Sequence, residues 1–100
     1  MVRHIVMLKF LDTAQGRVRV ENVRIAEGLL RELPALIPSM RSSEIGVNVV
    51  PGDEAYDIAF TVSFASKEDL QAYTNHPDHQ RVAGFLRSVR SARAVVDYEY

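Results

Sequence analysis

The sequence predicts an α+β domain of the ferredoxin-like type, with the element order β-α-β-β-α-β and a four-stranded antiparallel sheet. Segments that alternate apolar and polar residues flank two segments with helical spacing, and turn-forming residues separate them. The length of 100 residues corresponds to one domain, residues 1–100. Because the chain has no cysteine, its stability depends on packing or on oligomerisation and not on disulfides.

The first half of the chain predicts a strand, a loop and a long helix. Val2–Phe10 is apolar on both alternating faces, as in a strand covered on both sides. Residues 12–16 form a loop. Apolar residues then recur at intervals of three and four over 17–37, which predicts a helix that Pro34 kinks or restarts as a short second piece.

The second half predicts two strands, two helical segments and a last strand. Residues 43–49 form a strand with a bulge at Gly46, and 56–64 alternate most clearly of all. Ser66 is placed to cap a helix that runs to about residue 75, because His76 precedes Pro77 and is biased away from helical angles. A further helical segment covers about 79–89, and 94–100 form the final strand.

One face of the predicted sheet is too apolar for the free surface of a monomer. Its residues are Ile5, Met7, Val96 and Tyr98, on the face opposite the helices. Pairing of two sheets face to face would bury them. We therefore expect a homodimer in which two sheets form a dimeric α/β barrel, with these four residues at the interface.

Composition narrows the function classes. A net charge of −1 gives no electrostatic footprint for nucleic acid. The longest apolar run is four residues, 5–8, which excludes a membrane span. Because the N-terminus leads directly into a strand without a signal peptide, the expected location is the cytoplasm.

A polar cluster is predicted from residues 73–79 together with the first strand. Tyr73, His76 and His79 lie at the break between two helices, and His4 lies among apolar residues on the helix-facing side of the first strand. A buried histidine needs partners for its ring nitrogens, and His79 or Tyr73 would serve His4. His76 is expected to face solvent or to cap a helix.

Short motifs spread along nearly the whole chain carry a family resemblance. They are His4-x-Val6-x-x-Lys9-Phe10, Gly46, Phe64-x-Ser66, Tyr73-x-x-His76-Pro77-x-His79 and Val96-Asp97-Tyr98. This set resembles the stress-responsive dimeric α/β-barrel (Dabb) domain family, and the Tyr-x-x-His-Pro-x-His motif is its most specific mark. The resemblance implies a ferredoxin-like homodimer with a pocket between the sheet and the helices.

The resemblance also implies candidate catalytic residues. The family includes plant stress proteins, bacterial proteins of unknown activity, and a plant polyketide cyclase that closes a linear poly-β-ketone by aldol condensation. The functional positions of that cyclase match His4, Tyr73 and His79 here. They would act as an orienting group, an oxyanion donor and a general base, respectively. The same three side chains are also compatible with a purely structural hydrogen-bond network.

The expected pocket has an apolar wall and a cationic part. The wall residues are Val6, Leu8, Phe60, Phe85 and Val95. By the resemblance, Arg90 and Arg93 on the third helix stand where the cyclase has large apolar residues, which argues against a long alkyl ligand. These arginines either bind a carboxylate or phosphate of a ligand or interact with the dipole at the end of that helix.

Three functions remain open at this point. The first is a homodimeric Dabb protein that binds a small molecule, and the second is a polyketide-cyclase-like enzyme acting on a small carbonyl compound. The third, a cofactor-free monooxygenase, rests on the shared dimeric shape alone. We expect no cofactor, and no metal either, because no cysteine or tight acidic cluster accompanies His76 and His79.

Overall fold

The computed structural model describes all 100 residues, Met1–Tyr100. Its elements, in chain order, are β1 (Val2–Phe10), β2 (Thr13–Ala14), β3 (Arg17–Val18), α1 (Arg19–Leu36), β4 (Ser42–Val47), β5 (Ile58–Phe64), α2 (Lys67–Asn75), α3 (Pro77–Val89) and β6 (Arg90–Glu99). Four strands form an antiparallel sheet in the order β4-β5-β1-β6, and β2 pairs with β3 in a separate hairpin. The predicted ferredoxin-like α+β fold is confirmed.

The central strand β1 separates the two faces of the sheet. Its even-numbered residues from Val2 to Phe10 are buried on the side that the helices cover. On the other side Met7 is 41% exposed, and Val96 and Tyr98 of β6 lie beside β1 with exposures of 53% and 41%. The hydrophobic core therefore lies between the helices and one face of the sheet, and the opposite face is open.

The first helix differs from its prediction at Pro34. The helix does not restart there, because α1 continues as one element to Leu36. Proline lacks only the N–H that would bond to residue 30, and the next turn is intact, because the Ile37 N–H donates to the Leu33 carbonyl at 2.9 Å. With Pro34 so near the end of α1, the lost bond affects only its last turn.

The predicted loop before α1 contains a short hairpin. Gln15 and Gly16 have φ angles of 54° and 72°, the left-handed conformation that tight two-residue hairpin turns require. The fully buried amide of Asn22 in α1 accepts a bond from Arg17 Nε at 2.7 Å and donates to the Ala14 carbonyl at 3.0 Å. Because the hairpin takes Arg17 and Val18, α1 begins at Arg19.

The irregularity in the sheet lies elsewhere than predicted. The β4–β5 register passes through the Gly46–Ala59 pair without a shift, so the predicted bulge at Gly46 is wrong. The register shifts instead between Lys9 and Phe10 on β1, which pair with Ala92 and Arg90 of β6. Ser91 is therefore an additional residue in β6.

The two later helices meet at a sharp break. Ser66 Oγ accepts the Asp69 N–H, which confirms the predicted cap of α2. His76 ends α2 and caps α3, where its Nδ1 accepts the Asp78 N–H at 3.1 Å. With Pro77 in the first position, which favours helix initiation, α3 begins two residues before its predicted start. No helix in the structure combines the length and apolar character needed to cross a membrane.

Candidate functional site

A cavity of about 250 Å³ lies under the helix-covered face of the sheet. Eight of the predicted site residues line it: His4, Val6, Leu8, Phe60, Tyr73, His79, Arg90 and Arg93. The sequence did not indicate several other lining residues, which come mainly from α1 and α3: Leu30, Leu33, Val82, Ala83, Leu86 and Arg87. The volume is below the roughly 300–1,000 Å³ of sites for drug-sized ligands, so the cavity fits a small molecule.

Two predicted wall residues do not line this cavity. Phe85 lies on another side of α3, where the Arg17 guanidinium stands 5.8 Å from the centre of its ring. Val95 is opposite Val6 on the helix-covered face, but β6 is an edge strand and leaves this side chain 47% exposed. The helical phase of Phe85 and the edge position of Val95 account for both corrections.

The orientation of His79 follows from the break between α2 and α3. Its Nδ1 lies 3.0 Å from the Thr74 carbonyl oxygen, which can only accept a hydrogen bond, so Nδ1 carries the proton. The neutral ring then has its lone pair on Nε2. Burial lowers the pKa of His79 below its ordinary value of 6.5, and the cationic surroundings lower it further, against the opposing effect of the Thr74 bond. The imidazole is therefore a neutral base at pH 7.

Tyr73 supplies a hydroxyl group to the same cavity. The residue is 3% exposed, and its ring centre lies 4.4 Å from that of His79 and 6.0 Å from that of His4. Burial raises the pKa of Tyr73 to about 12, and no hydrogen bond to another residue offsets that effect. The hydroxyl is thus a protonated donor at neutral pH without a partner in the protein.

The hydrogen-bond partner of His4 is Asp97, not His79 or Tyr73 as predicted. Asp97 stands directly opposite His4 in the β1–β6 pairing, and its Oδ1 forms a short hydrogen bond with His4 Nδ1. The imidazole is buried while the carboxylate is partly exposed at the sheet edge. Such a carboxylate fixes which nitrogen of the imidazole carries a proton. In the sequence Asp97 is one of two acidic residues in the last strand, and only the strand register shows that it is the partner of His4.

Three arginines form the other end of the cavity. Arg90 is the C-terminal cap of α3 and the first residue of β6, and Arg93 lies further along β6, so neither belongs to the third helix as predicted. Arg87, in the last turn of α3, completes the set. In the sequence, the three-residue spacing between Arg87 and Arg90 was the feature that could have indicated Arg87. Burial lowers the pKa of Arg90, and so does repulsion from Arg93 and Arg87.

The side chains define what the site can do chemically. A half-buried neutral imidazole and a protonated phenol stand side by side near His4 at one end, and guanidinium groups stand near Leu8 and Phe10 at the other. That combination suits a small ligand with both a carbonyl and an anionic group. No three histidine, aspartate or glutamate side chains are grouped to hold a metal ion anywhere in the chain.

Fold and site together define a ferredoxin-like α+β domain with a polar cavity between its helices and its sheet. Residues 2–100 match the family model of the Stress responsive A/B Barrel Domain (Dabb), and the chain belongs to this family. Olivetolic acid cyclase of Cannabis sativa is 28% identical over an alignment of 99 residues that covers 97% of this chain and 94% of the cyclase.

Solved structures share the whole fold. A dimeric ferredoxin-like protein of unknown function from Bacteroides fragilis is 35% identical with a TM-score of 0.80, and the match covers 99% of this chain and 95% of that one. A dimeric ferredoxin-like protein of unknown function from Thermobifida fusca is 25% identical with a TM-score of 0.85, over 99% and 90% of the two chains. The family and the fold are therefore established by sequence and by structure.

Proposed function

We propose that this Dabb protein is a homodimer in which each protomer binds a small carbonyl compound in its cavity. The observation that carries the proposal is the Tyr73 side chain, which is buried and protonated, lines the cavity and has no hydrogen-bond partner in the protein. A ligand oxygen placed in the cavity would accept a hydrogen bond from this hydroxyl.

The dimer proposal rests on the open face of the sheet. Ile5, Met7, Val96 and Tyr98 form an apolar patch there, on the side away from all three helices. The relatives from Bacteroides fragilis and Thermobifida fusca are described as dimeric. A second copy of the same face would bury the patch in the manner of obligate apolar interfaces.

A second candidate function is proton transfer at carbon, and the His79 geometry favours it. The Thr74 carbonyl holds the Nδ1 proton, which leaves Nε2 free to take a proton from a carbon next to a ketone. The C–H electron pair then forms an enolate, whose oxygen accepts the Tyr73 hydrogen bond. In an isomerisation the imidazolium returns the proton to another carbon of the enolate.

The relation to olivetolic acid cyclase supports a cyclising variant of the same chemistry. The enolate carbon would attack a second carbonyl of the same substrate, a carbon–carbon bond would form, and the new alkoxide would take the proton from His79. The Asp97 carboxylate would hold the His4 ring in its position beside Tyr73. The cavity of about 250 Å³ restricts this chemistry to small substrates.

Deuterium exchange tests whether His79 acts as a base. Small ketones such as levulinate and 5-hydroxypentan-2-one are incubated with the protein in D₂O, and loss of the proton signals next to the ketone is followed by NMR. We expect His79→Gln to slow protein-dependent exchange by about 10²–10⁴-fold, the usual contribution of a general base. His76→Asn is the matched control, because His76 caps α3 outside the cavity and asparagine also caps helices well.

Stability measurements separate the catalytic role of His79 from a structural one. If its only role is to bond Thr74, His79→Gln lowers the free energy of unfolding by about 1–3 kcal/mol and no exchange is observed in the wild type. Wild-type exchange that persists unchanged in His79→Gln contradicts the acid–base proposal, whereas binding of the ketones alone leaves the first proposal intact.

A further inference from the structure

Arg87, Arg90 and Arg93 line one end of the cavity without a counterion. The acidic groups that form ion pairs in this chain are paired with other cations, such as Asp12 with Arg19 and Glu27 with Arg31. Arg90 is partly buried, and repulsion from its two neighbours adds to the desolvation that lowers its pKa. Clustering three like charges is unfavourable, and a bound anion would relieve it.

The arrangement depends on the bulge in β6. Residues three apart on a regular strand point to opposite faces of a sheet. Here Phe10 pairs with Arg90 and Leu8 pairs with Arg93, because Ser91 is the additional residue, so both arginines share the face of Phe10 and Leu8. Arg87, one helical turn before Arg90, reaches the same cavity from α3. A local irregularity of the sheet therefore gathers the three charges.

The dipole of α3 does not account for this set. Arg87 and Arg90 stand at the helix C-terminus, where a cation is favourable. Arg93 lies three residues beyond that end, on β6, and it is close enough to Tyr73 and His79 to lower the pKa of both. Arg93 is therefore positioned to interact with the contents of the cavity, near Tyr73 and His79, and not with the end of the helix.

We infer that Arg87, Arg90 and Arg93 bind the carboxylate or phosphate group of an anionic ketone and orient its carbonyl towards Tyr73 and His79. The inference rests on the proposed function, because it uses the same cavity, and it names the substrate class. Arginine suits this task because its planar fork of donors matches the oxygens of both anions. The apolar wall between the two ends, which includes Leu8 and Leu86, would hold the short carbon chain.

Calorimetric titration with matched pairs of ligands tests the inference. Levulinate is compared with neutral 5-hydroxypentan-2-one, and hydroxyacetone phosphate with hydroxyacetone, so that the carboxylate and phosphate sources are distinguished. We expect at least one anion to bind roughly ten-fold tighter than its neutral counterpart, equivalent to about 1.4 kcal/mol. Added salt should reduce that preference.

Variants of the three arginines test whether these residues cause the preference for anionic ligands. The double variant Arg90→Gln/Arg93→Gln should abolish the preference for the anion. Arg87→Gln should reduce this preference without impairing folding, because Arg87 is exposed. Arg24→Gln is the matched control, since Arg24 is exposed on α1 and does not line the cavity. A preference that survives in the double variant overturns the inference, and so does equal binding, or no binding, of the anionic and neutral ligands by the wild type.

The two proposals fail in distinguishable ways. If the anion preference holds but no ligand undergoes exchange, the acid–base proposal fails and the anion site stands. If neutral ketones bind and exchange as well as the anions, the inference fails while the proposed function stands. His76→Asn keeps all three arginines and lies outside the cavity, so it should bind the anions as tightly as the wild type within about three-fold, a difference of under 1 kcal/mol.

Discussion

The two faces of the sheet differ in burial, most clearly along β1, where neighbouring side chains lie on opposite faces. On the helix-covered face Leu8 is 1% exposed, and His4 is buried and bonded to Asp97 at the sheet edge. On the open face Met7 is 41% exposed, and Ile5 lies beside the exposed Val96 of β6. The covered face is complete within one protomer and encloses the cavity, whereas the open face is a surface for which we propose a second copy.

The largest expected effect comes from a charge on the open face. Ile5→Asp should dissociate the dimer, because two unpaired carboxylates would be buried, one from each protomer. Sedimentation equilibrium should then show monomer, or the protein should unfold. Val20→Asp is the matched control, since Val20 is 60% exposed on α1, away from that face. A wild-type protein that is monomeric at micromolar concentration would contradict the proposed dimer, and the open face would then be a free surface.

A pair of truncations on β1 distinguishes the two faces by stability. Leu8→Ala removes fully buried methyl groups and should lower the free energy of unfolding by about 2–5 kcal/mol at every protein concentration. Met7→Ala should act mainly on association, so its denaturation midpoint should equal the wild-type value at protein concentrations too low for dimers to form, and fall below it at concentrations where the wild type is dimeric. Equal, concentration-independent losses in both variants would show that the two faces are equally buried within a single protomer.

The smallest effect is a pH dependence confined to the covered face. A general base is active when deprotonated, and the pKa of His79 lies below 6.5, so exchange should stay constant through neutral pH and fall only in more acidic solution. The Tyr73 hydroxyl, with its pKa of about 12, stays protonated throughout. NMR exchange rates from pH 5 to 9 measure this. A decline of the exchange rate centred at or above pH 6.5 would contradict the lowered pKa of His79. Dimerisation should show no such decline, because Ile5, Met7 and Val96 do not titrate.

Local pattern predicted most of the fold. Alternation identified β1 and β5, helical spacing identified α1, and the Ser66 cap marked the start of α2 to the residue. The errors fell where two local preferences competed. Pro34 disfavours a helix interior but stands close enough to the end of α1 for the helix to continue, and Gly46 permits a bulge that its regular pairing with Ala59 does not use.

Local pattern predicted less of the site. The break at His76-Pro77 was visible, and the family resemblance directed attention to His4, Tyr73 and His79, which the structure brings to one cavity. Phe85 was assigned to the wall for its apolar character, and Val95 through the family resemblance. Whether an apolar residue lines a cavity depends on its helical phase and on its distance from the sheet edge, and neither is a property of the residue itself.

The sequence by itself determined the class of the fold and the two apolar faces of β1, because these follow from periodicity and composition within short segments. Tertiary structure decided the rest. The β1–β6 register paired His4 with Asp97, and one additional residue in β6 placed Arg90 and Arg93 on the face of the cavity. The register and the bulge depend on contacts between residues 80 or more positions apart, so local periodicity does not indicate them.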